Sequence, residues 1–390
     1  MKWKQPEPVE GGIKIPTSWV FLHYYEAFNL LFRIENALRV FVYIVLKNEL
    51  HEKWMEAVVP GSEEEKVTII SLAKKRMSQA LSFGYLGYKI TCPIMHLNSG
   101  ELSRLILSDS YWKYFKSYFP GSKDIIKNKF DEIGSIRNSL AHFRPLQEDD
   151  INVIKQNSKH ILLNVEQFLN QALNQNHIVP TNTTDDWYKS LKSLDSDLCK
   201  VRLYQSDDEQ WIRISLYYQC PVIRTIDDTE ILKSYRVLTI KSSAVLRQFP
   251  DITQHICYQS EYVFTPGITK DKNVEATKIL SFVISKIKIQ SHYQIIEKSL
   301  SDLTLKITTE TECIKLDNLA RGDVVYSAFI MTTLEEEKNQ LHWNWYYPQL
   351  KTPVTEDDPP EYWGDLNLFG WSDIITSTQK YPWMTATISP

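Results

Sequence analysis

The chain has 390 residues and a formal net charge of −4, which allows about two or three domains, each long enough to bury a core. It holds 12 glycines and neither a G-x-x-x-x-G-K-S/T nor a G-x-G-x-x-G run, which argues against a glycine-rich phosphate loop. Its five cysteines (Cys92, Cys199, Cys220, Cys257 and Cys313) are scattered, odd in number and never spaced C-x-x-C, so neither a zinc site nor a disulfide framework is expected.

Residues 1–16 contain Pro6, Pro8, Gly11, Gly12 and Pro16 and read as a flexible arm without the apolar stretch of a secretory signal. Residues 18–57 predict a long helix with room for one break. Phe28, Leu31, Phe32, Leu38, Val42, Val45 and Leu46 recur at three- and four-residue intervals and make one apolar stripe. Arg33, Glu35 and Arg39 interrupt that stretch, which excludes a simple membrane span. Glu35 falls on the stripe itself. A buried carboxylate needs a partner, and an i,i+4 pair with Arg39 is as good an account as a role in a site.

Val59-Pro-Gly-Ser62 predicts a turn, and a second helix is expected from Glu63, with Lys74, Lys75 and Arg76 on a solvated face. Residues 83–94 read as a short crossover. Asn98-Ser-Gly100 opens a further helix, along which Tyr111, Trp112, Phe115 and Phe119 share a stripe that suits a core better than a base-stacking platform. Pro120-Gly-Ser122 ends it. Residues 148–176 predict one more helix, with Asp149 and Asp150 near its start. The segment 17–176 is therefore expected to be an all-α bundle of about five helices.

Residues 177–187 show no apolar periodicity and read as a linker. Beyond it the period changes to two. Cys199–Tyr204, Trp211–Tyr217, Tyr235–Ile240, Tyr262–Phe264, Leu303–Ile307 and 324–330 are the expected strands, and 276–300 is the one long helical candidate. The fold class expected is thus multidomain α + β, a helical bundle followed by a β-rich domain over 188–390, sandwich-like or α+β. Trp343, Trp345, Tyr346, Tyr347, Tyr362, Trp363, Trp371 and Trp383 crowd its end. They complete a core or anchor a partner. Glu356, Asp357, Asp358 and Glu361 among them would repel a nucleic-acid backbone.

Charge is divided between the halves. Residues 1–176 carry a net +3 and the remainder −7. The basic half holds the segment richest in chemistry, Phe130 to Pro145, with Arg137, Asn138, His142 and Arg144 following Lys123, Lys127 and Lys129. A permanently cationic guanidinium beside an imidazole that titrates near neutrality suits phosphodiester chemistry. Five positions separate Arg137 from His142, so a helix end that bends near the His is needed to keep both near one surface. A helix-terminal His with an exposed Arg is the plainer account of the same residues.

The run Arg137-Asn-Ser-Leu-Ala-His142 resembles the signature of the HEPN superfamily of small helical domains, in its toxin-like and abortive-infection members. Glu35 and Arg39 are similar to the Glu-x-x-x-Arg pattern of an early helix there, the aromatics Tyr111 to Phe119 to a segment preceding the motif, and Arg144 to an Arg two positions past the His. The likeness covers about residues 17–175, and the second half resembles no family. It implies a metal-independent endoribonuclease of a bacterial defence system that works as a homodimer through the helical domain and needs no cofactor. His142 would be general base or acid, Arg137 would stabilise the phosphorane, and Asn138 would orient the His or bind phosphate. Arg144, Lys123, Lys127 and Lys129 would hold flanking RNA phosphates. The second half would regulate the first by binding a trigger or inhibitor protein. The alternative is a non-catalytic module that binds nucleotide, RNA or protein. The scattered cysteines suit a reducing cytoplasm, and the interrupted apolar run gives no membrane partner, so a cytoplasmic protein is expected.

Overall fold

The computed structural model describes residues 7–10, 12–14, 24–61, 67–83, 92–175, 178–228, 232–268, 274–315, 325–337, 340–355 and 357–365. They divide into two compact units. The first takes the described residues of Met1–Phe83 and Pro93–Asn170, the second those of Gln171–Leu368. Helices are mostly N-terminal and strands mostly C-terminal.

The expected arm carries a small hairpin, with β1 (Glu7–Val9) antiparallel to β2 (Gly12–Lys14). Helix α1 (Tyr24–Leu50) follows and breaks at His51, whose φ of 54° lies in the left-handed region, into a 3-10 turn over His51–Glu56. Next come α2 (Ile69–Phe83), α3 (Ser99–Ile106), the single turn α4 (Trp112–Phe115), α5 (Lys123–Ala141) and α6 (Glu148–Leu173). Asn98 caps α3 through a capping box with Glu101, which satisfies two backbone donors at once. The helix expected to run through Tyr111–Phe119 is instead interrupted after Ile106 and resumes for one turn. Its aromatics still go to the core. Phe41 of α1 meets Phe115, Phe119 and Phe168 at 5.6, 6.0 and 5.6 Å between ring centres. Phe115 and Phe119 are buried, so they are not a base-stacking platform.

The division between the units falls at Asn170/Gln171, inside α6, rather than at residue 176. Residues 178–187 are also not a free linker. Ile178 forms a β-bridge with Gln205, and Trp187, at the start of α7 (Asp186–Lys192), is buried in the core of the second unit. One bridge and a two-turn helix are too short to print a periodicity on the sequence, which is why the segment reads as a linker.

The second unit is α+β. Its strands are β3 (Cys199–Gln205), β4 (Trp211–Cys220), β5 (Val222–Asp228) and β6 (Leu232–Ile240). After the short helices α8 (Ser242–Gln248) and α9 (Pro250–His255) come β7 (Tyr258–Val263), β8 (Gly267–Ile268) and β9 (Val274–Ser285). Helix α10 (Lys286–Lys315) precedes β10 (Val325–Glu337), β11 (Gln340–Tyr346) and β12 (Tyr362–Asp365). The larger sheet has the order β12-β7-β9-β4-β3, with β8 also on β9, and the smaller β11-β10-β6-β5. Pairing is antiparallel except between β12 and β7. Pro221, which cannot donate to a ladder, stands where the chain leaves β4 of one sheet for β5 of the other.

Two expectations are corrected here. The helical candidate 276–300 is strand up to Ser285, in keeping with its β-branched residues, and helix after it. Leu303–Ile307, expected as a strand, lies in α10. Leu-Thr-Leu-Lys-Ile alternates, but the residues the helix buries are Ile289, Ile296, Leu300, Leu303 and Ile307, at sevens, fours and threes, while Leu305 is 65% exposed. These side chains join Ile212, Ile214 and Leu216 of β4, Leu280, Phe282 and Ile284 of β9 and Val325, Ala328 and Ile330 of β10 in one core. Of the C-terminal aromatics, Tyr362 and Trp363 are buried, Trp345 and Tyr347 pack on the core, and Tyr346 is exposed; Trp371 and Trp383 lie outside the described residues. Asp358 is buried and paired with Arg247, so this acid does not face solvent. Among the described residues no helix is long and apolar enough to cross a membrane.

Candidate functional site

Helix α1 presents Phe28, Leu31, Phe32, Glu35 and Arg39 along one face, the i, i+3, i+4 and i+7 rows of a helix. The C-terminal end of α5 brings Arg137, Leu140 and Ala141 to the same place, and Phe143 follows just past it. Together they line a cleft of about 300 Å³ in the first unit. Three of the site residues read from sequence, Glu35, Arg39 and Arg137, are therefore gathered from segments about a hundred positions apart.

Glu35 and Arg39 form the i,i+4 ion pair, Nη2 to Oε1 at 2.5 Å. Arg39 is further held by Asn36 Oδ1 at 2.9 Å and by the Leu97 carbonyl at 2.9 Å, while Glu35 Oε2 accepts from the Ser99 amide at 3.0 Å. The pair thus ties α1 to the entry of α3. Beside it Arg76 makes two hydrogen bonds to Glu101, at 2.8 and 2.6 Å. Burial lowers the pKa of Arg39 from the ordinary guanidinium value; Glu35 opposes this, and the charges of Arg76 and Arg137 add to it. Three arginines thus sit among two carboxylates, and both carboxylates are taken. Arg137 is the cation left over. Among the described residues its hydrogen bond is a long one, to Asn138 Oδ1 at 3.5 Å. An unsated guanidinium beside apolar walls is a receptor for an oxyanion.

The motif's second half is set by how α5 ends. His142 is the C-cap, with φ −98° and ψ 17°. Phe143 takes φ 54°, and the amides of Phe143 and Arg144 bond back to the carbonyls of Leu140 and Ser139, both at 2.9 Å. This is a Schellman closure with Phe where glycine is usual. The bend expected near the His is thus supplied by the left-handed residue after it. His142 is exposed on the surface between Ala141 and Phe143, which line the cleft; it is not itself a lining residue. Arg144 is exposed as well and lies outside the lining. Asn138 contacts Arg137 rather than the imidazole.

The lysines are elsewhere. Lys123 and Lys127 sit in the first two turns of α5, about 21 and 15 Å from Arg137 along the axis at 1.5 Å per residue. Lys123 pairs with Asp109, and Lys129 donates to Asn157 Oδ1 at 3.1 Å, which leaves Lys127 as the exposed one of the three. The sequence reading missed Phe28 and Phe143, which are 52% and 73% exposed although apolar. Phe28 lies on the core stripe, so only its exposure in the folded protein sets it apart. Comparison with protein-family models, with curated proteins and with solved structures finds no match to this chain.

Proposed function

We propose that the helical unit is a HEPN-type endoribonuclease domain that cleaves RNA by attack of the 2′-hydroxyl on the adjacent phosphate. The observation that supports this reading most is Arg137, without a carboxylate partner among the described residues, in one cleft with the Glu35–Arg39 pair and five positions before His142. In this mechanism His142 takes the proton of the 2′-hydroxyl or gives one to the leaving 5′-oxygen. Arg137 stabilises the charge that grows on the phosphorane oxygens, and Asn138 aims Arg137. The products are a 2′,3′-cyclic phosphate and a 5′-hydroxyl. One chain supplies one Arg and one exposed His, and a homodimer joining two such helix ends would complete the acid–base pair. Arg144, just past the helix end, would guide a flanking phosphate, and Lys127, about 15 Å along α5 from Arg137, one further off. The acidic second unit, a poor cradle for RNA, would hold the first in check within a defence system.

The test is RNA cleavage by the purified chain in the presence of a chelator, with the termini identified. His142→Ala should lower the rate by about 10²- to 10⁴-fold and Arg137→Ala by about 10²- to 10³-fold. Equal cleavage by wild type and His142→Ala removes the imidazole from the chemistry. A second reading has its own support. The cleft walls are mostly apolar and His142 does not line them, which suits a module that binds an RNA or nucleotide without cutting it. RNA binding that depends on Arg137, with no cleavage, would favour that module.

A further inference from the structure

The larger sheet of the second unit has two unlike faces. One carries the core residues of β4 and β9. On the other, the register sets three rows across β4, β9 and β7: Arg213, Val283 and Tyr258; Ser215, Ser281 and Ser260; Tyr217, Ile279 and Tyr262. All of these but Val283 line a cavity of about 300 Å³ that Gln175 and Phe264 help to close. Its base is hydroxyl-rich, with Ser215 Oγ and Ser281 Oγ 3.0 Å apart. Its rim is aromatic: Tyr262 and Phe264 meet edge to face at 5.2 Å and stay 52% and 45% exposed.

Arg213 is the charge in this cavity. Its guanidinium lies over the Tyr204 ring, 4.7 Å from the centre, and no carboxylate pairs with it among the described residues. Its Nε is buried without a hydrogen-bond partner, and so is Oε1 of Gln175 on the cavity wall. The lining includes one acid, Glu261, and that side chain is spent elsewhere. It is fully buried with Lys278 at 2.9 Å and accepts from Ser242 Oγ and from the Thr352 amide. A guanidinium stays charged under any ordinary condition, and holding it partly buried without an acceptor costs free energy unless an anion comes to it. Nearby tyrosines do not meet that need. Tyr217 has its pKa pushed up to about 12 by burial and by its hydrogen bond with Tyr204, so it remains neutral.

The geometry points to a ligand site on this sheet face for a small molecule with one oxyanion head, a carboxylate or a phosphate ester, on a planar apolar body. The head meets Arg213 and the serine row, and the body lies against Ile279 and the Tyr262/Phe264 rim. The site belongs to the second unit and does not depend on the ribonuclease reading of the first.

The full chain is titrated calorimetrically with benzoate, with phenyl phosphate and, as a neutral isostere, with benzamide. We expect saturable binding of at least one of the two anions, which also tells carboxylate from phosphate, and none of benzamide. Arg213→Met should weaken that binding by roughly 10- to 100-fold, the worth of a charged hydrogen bond, with a melting temperature equal to or above wild type because an unmatched cation is removed. Tyr262→Ala, on the exposed rim, should weaken it as well and carries the test should Arg213→Met fold poorly. Absence of binding by both anions, equal binding of benzamide, or undiminished binding by both variants overturns the site.

Discussion

Lys278 and Glu261 are each fully buried, on β9 and β7, and bond to each other, to backbone groups and to two side-chain hydroxyls. Lys278 Nζ donates to the carbonyls of Ile240 at 2.8 Å and Leu350 at 2.5 Å and to Thr352 Oγ1 at 3.1 Å. Glu261 accepts from Lys278, from the Thr352 amide at 2.5 Å and from Ser242. Lys278→Met keeps the length of the chain but leaves Glu261 charged and unmatched, a change that costs about 3–5 kcal/mol. In a unit of this size that lowers the melting temperature by roughly 6–20 °C. Glu261→Leu should cost a similar amount. Combining the two removes both charges and leaves only neutral orphans, so the double variant should lie about 2–3 kcal/mol above the sum of the singles. Urea unfolding at low temperature followed by circular dichroism measures all four proteins. Additive losses would refute the argument, since they would mean that neither charge depends on the other. A mild loss in Lys278→Met would do so too, because it would show water reaching Glu261.

Three further outcomes follow from particular residues. At Phe143, glycine should be more stable than alanine by about 0.5–1 kcal/mol in thermal unfolding, because both remove the exposed ring but alanine keeps the cost of φ 54°; parity would show that the left-handed turn does not form. Arg39→Ala should cost about 1–3 kcal/mol in the same assay, since it frees Glu35, Asn36 and the Leu97 carbonyl together, and Glu35→Gln less, since the Ser99 amide keeps an acceptor. Cys199 and Cys220 are pushed by burial from 9.0 up to about 12, so the folded state keeps protons that the unfolded chain loses. Stability should therefore fall as pH rises above about 9, and iodoacetamide at neutral pH should label Cys92 and Cys313 while sparing these two until denaturant is added.

Much of the first unit could be read from the chain because its helices are long. The stripe from Leu31 to Leu46, the Asn98 cap, the Pro120-Gly-Ser122 break and the acidic start of α6 are local signals, and local hydrogen bonding answers them within a few residues. The i,i+4 relation of Glu35 and Arg39 is local in the same way. The second unit was legible only in its regular strands. Leu303–Ile307 satisfies both periods over five residues, and the neighbours on each side decide which one holds. Residues 178–187 gain their structure from Gln205 and from the core around Trp187, partners that no short window contains.

The sequence by itself determined the types of group available: an Arg and a His five positions apart at a helix end, a basic half, an acidic half and no glycine-rich loop. Tertiary structure decided which of them meet. It set Arg137 against the apolar face of α1 while Glu35 and Glu101 were already taken by Arg39 and Arg76, and it placed Lys123 and Lys127 two to three turns or more away. It also aligned Arg213, three serines and three tyrosines from three strands into one cavity. The reason is that charge compensation is a property of neighbours in space. A guanidinium looks the same along the chain whether or not a carboxylate waits for it, and only packing shows that none meets Arg137 or Arg213 among the described residues.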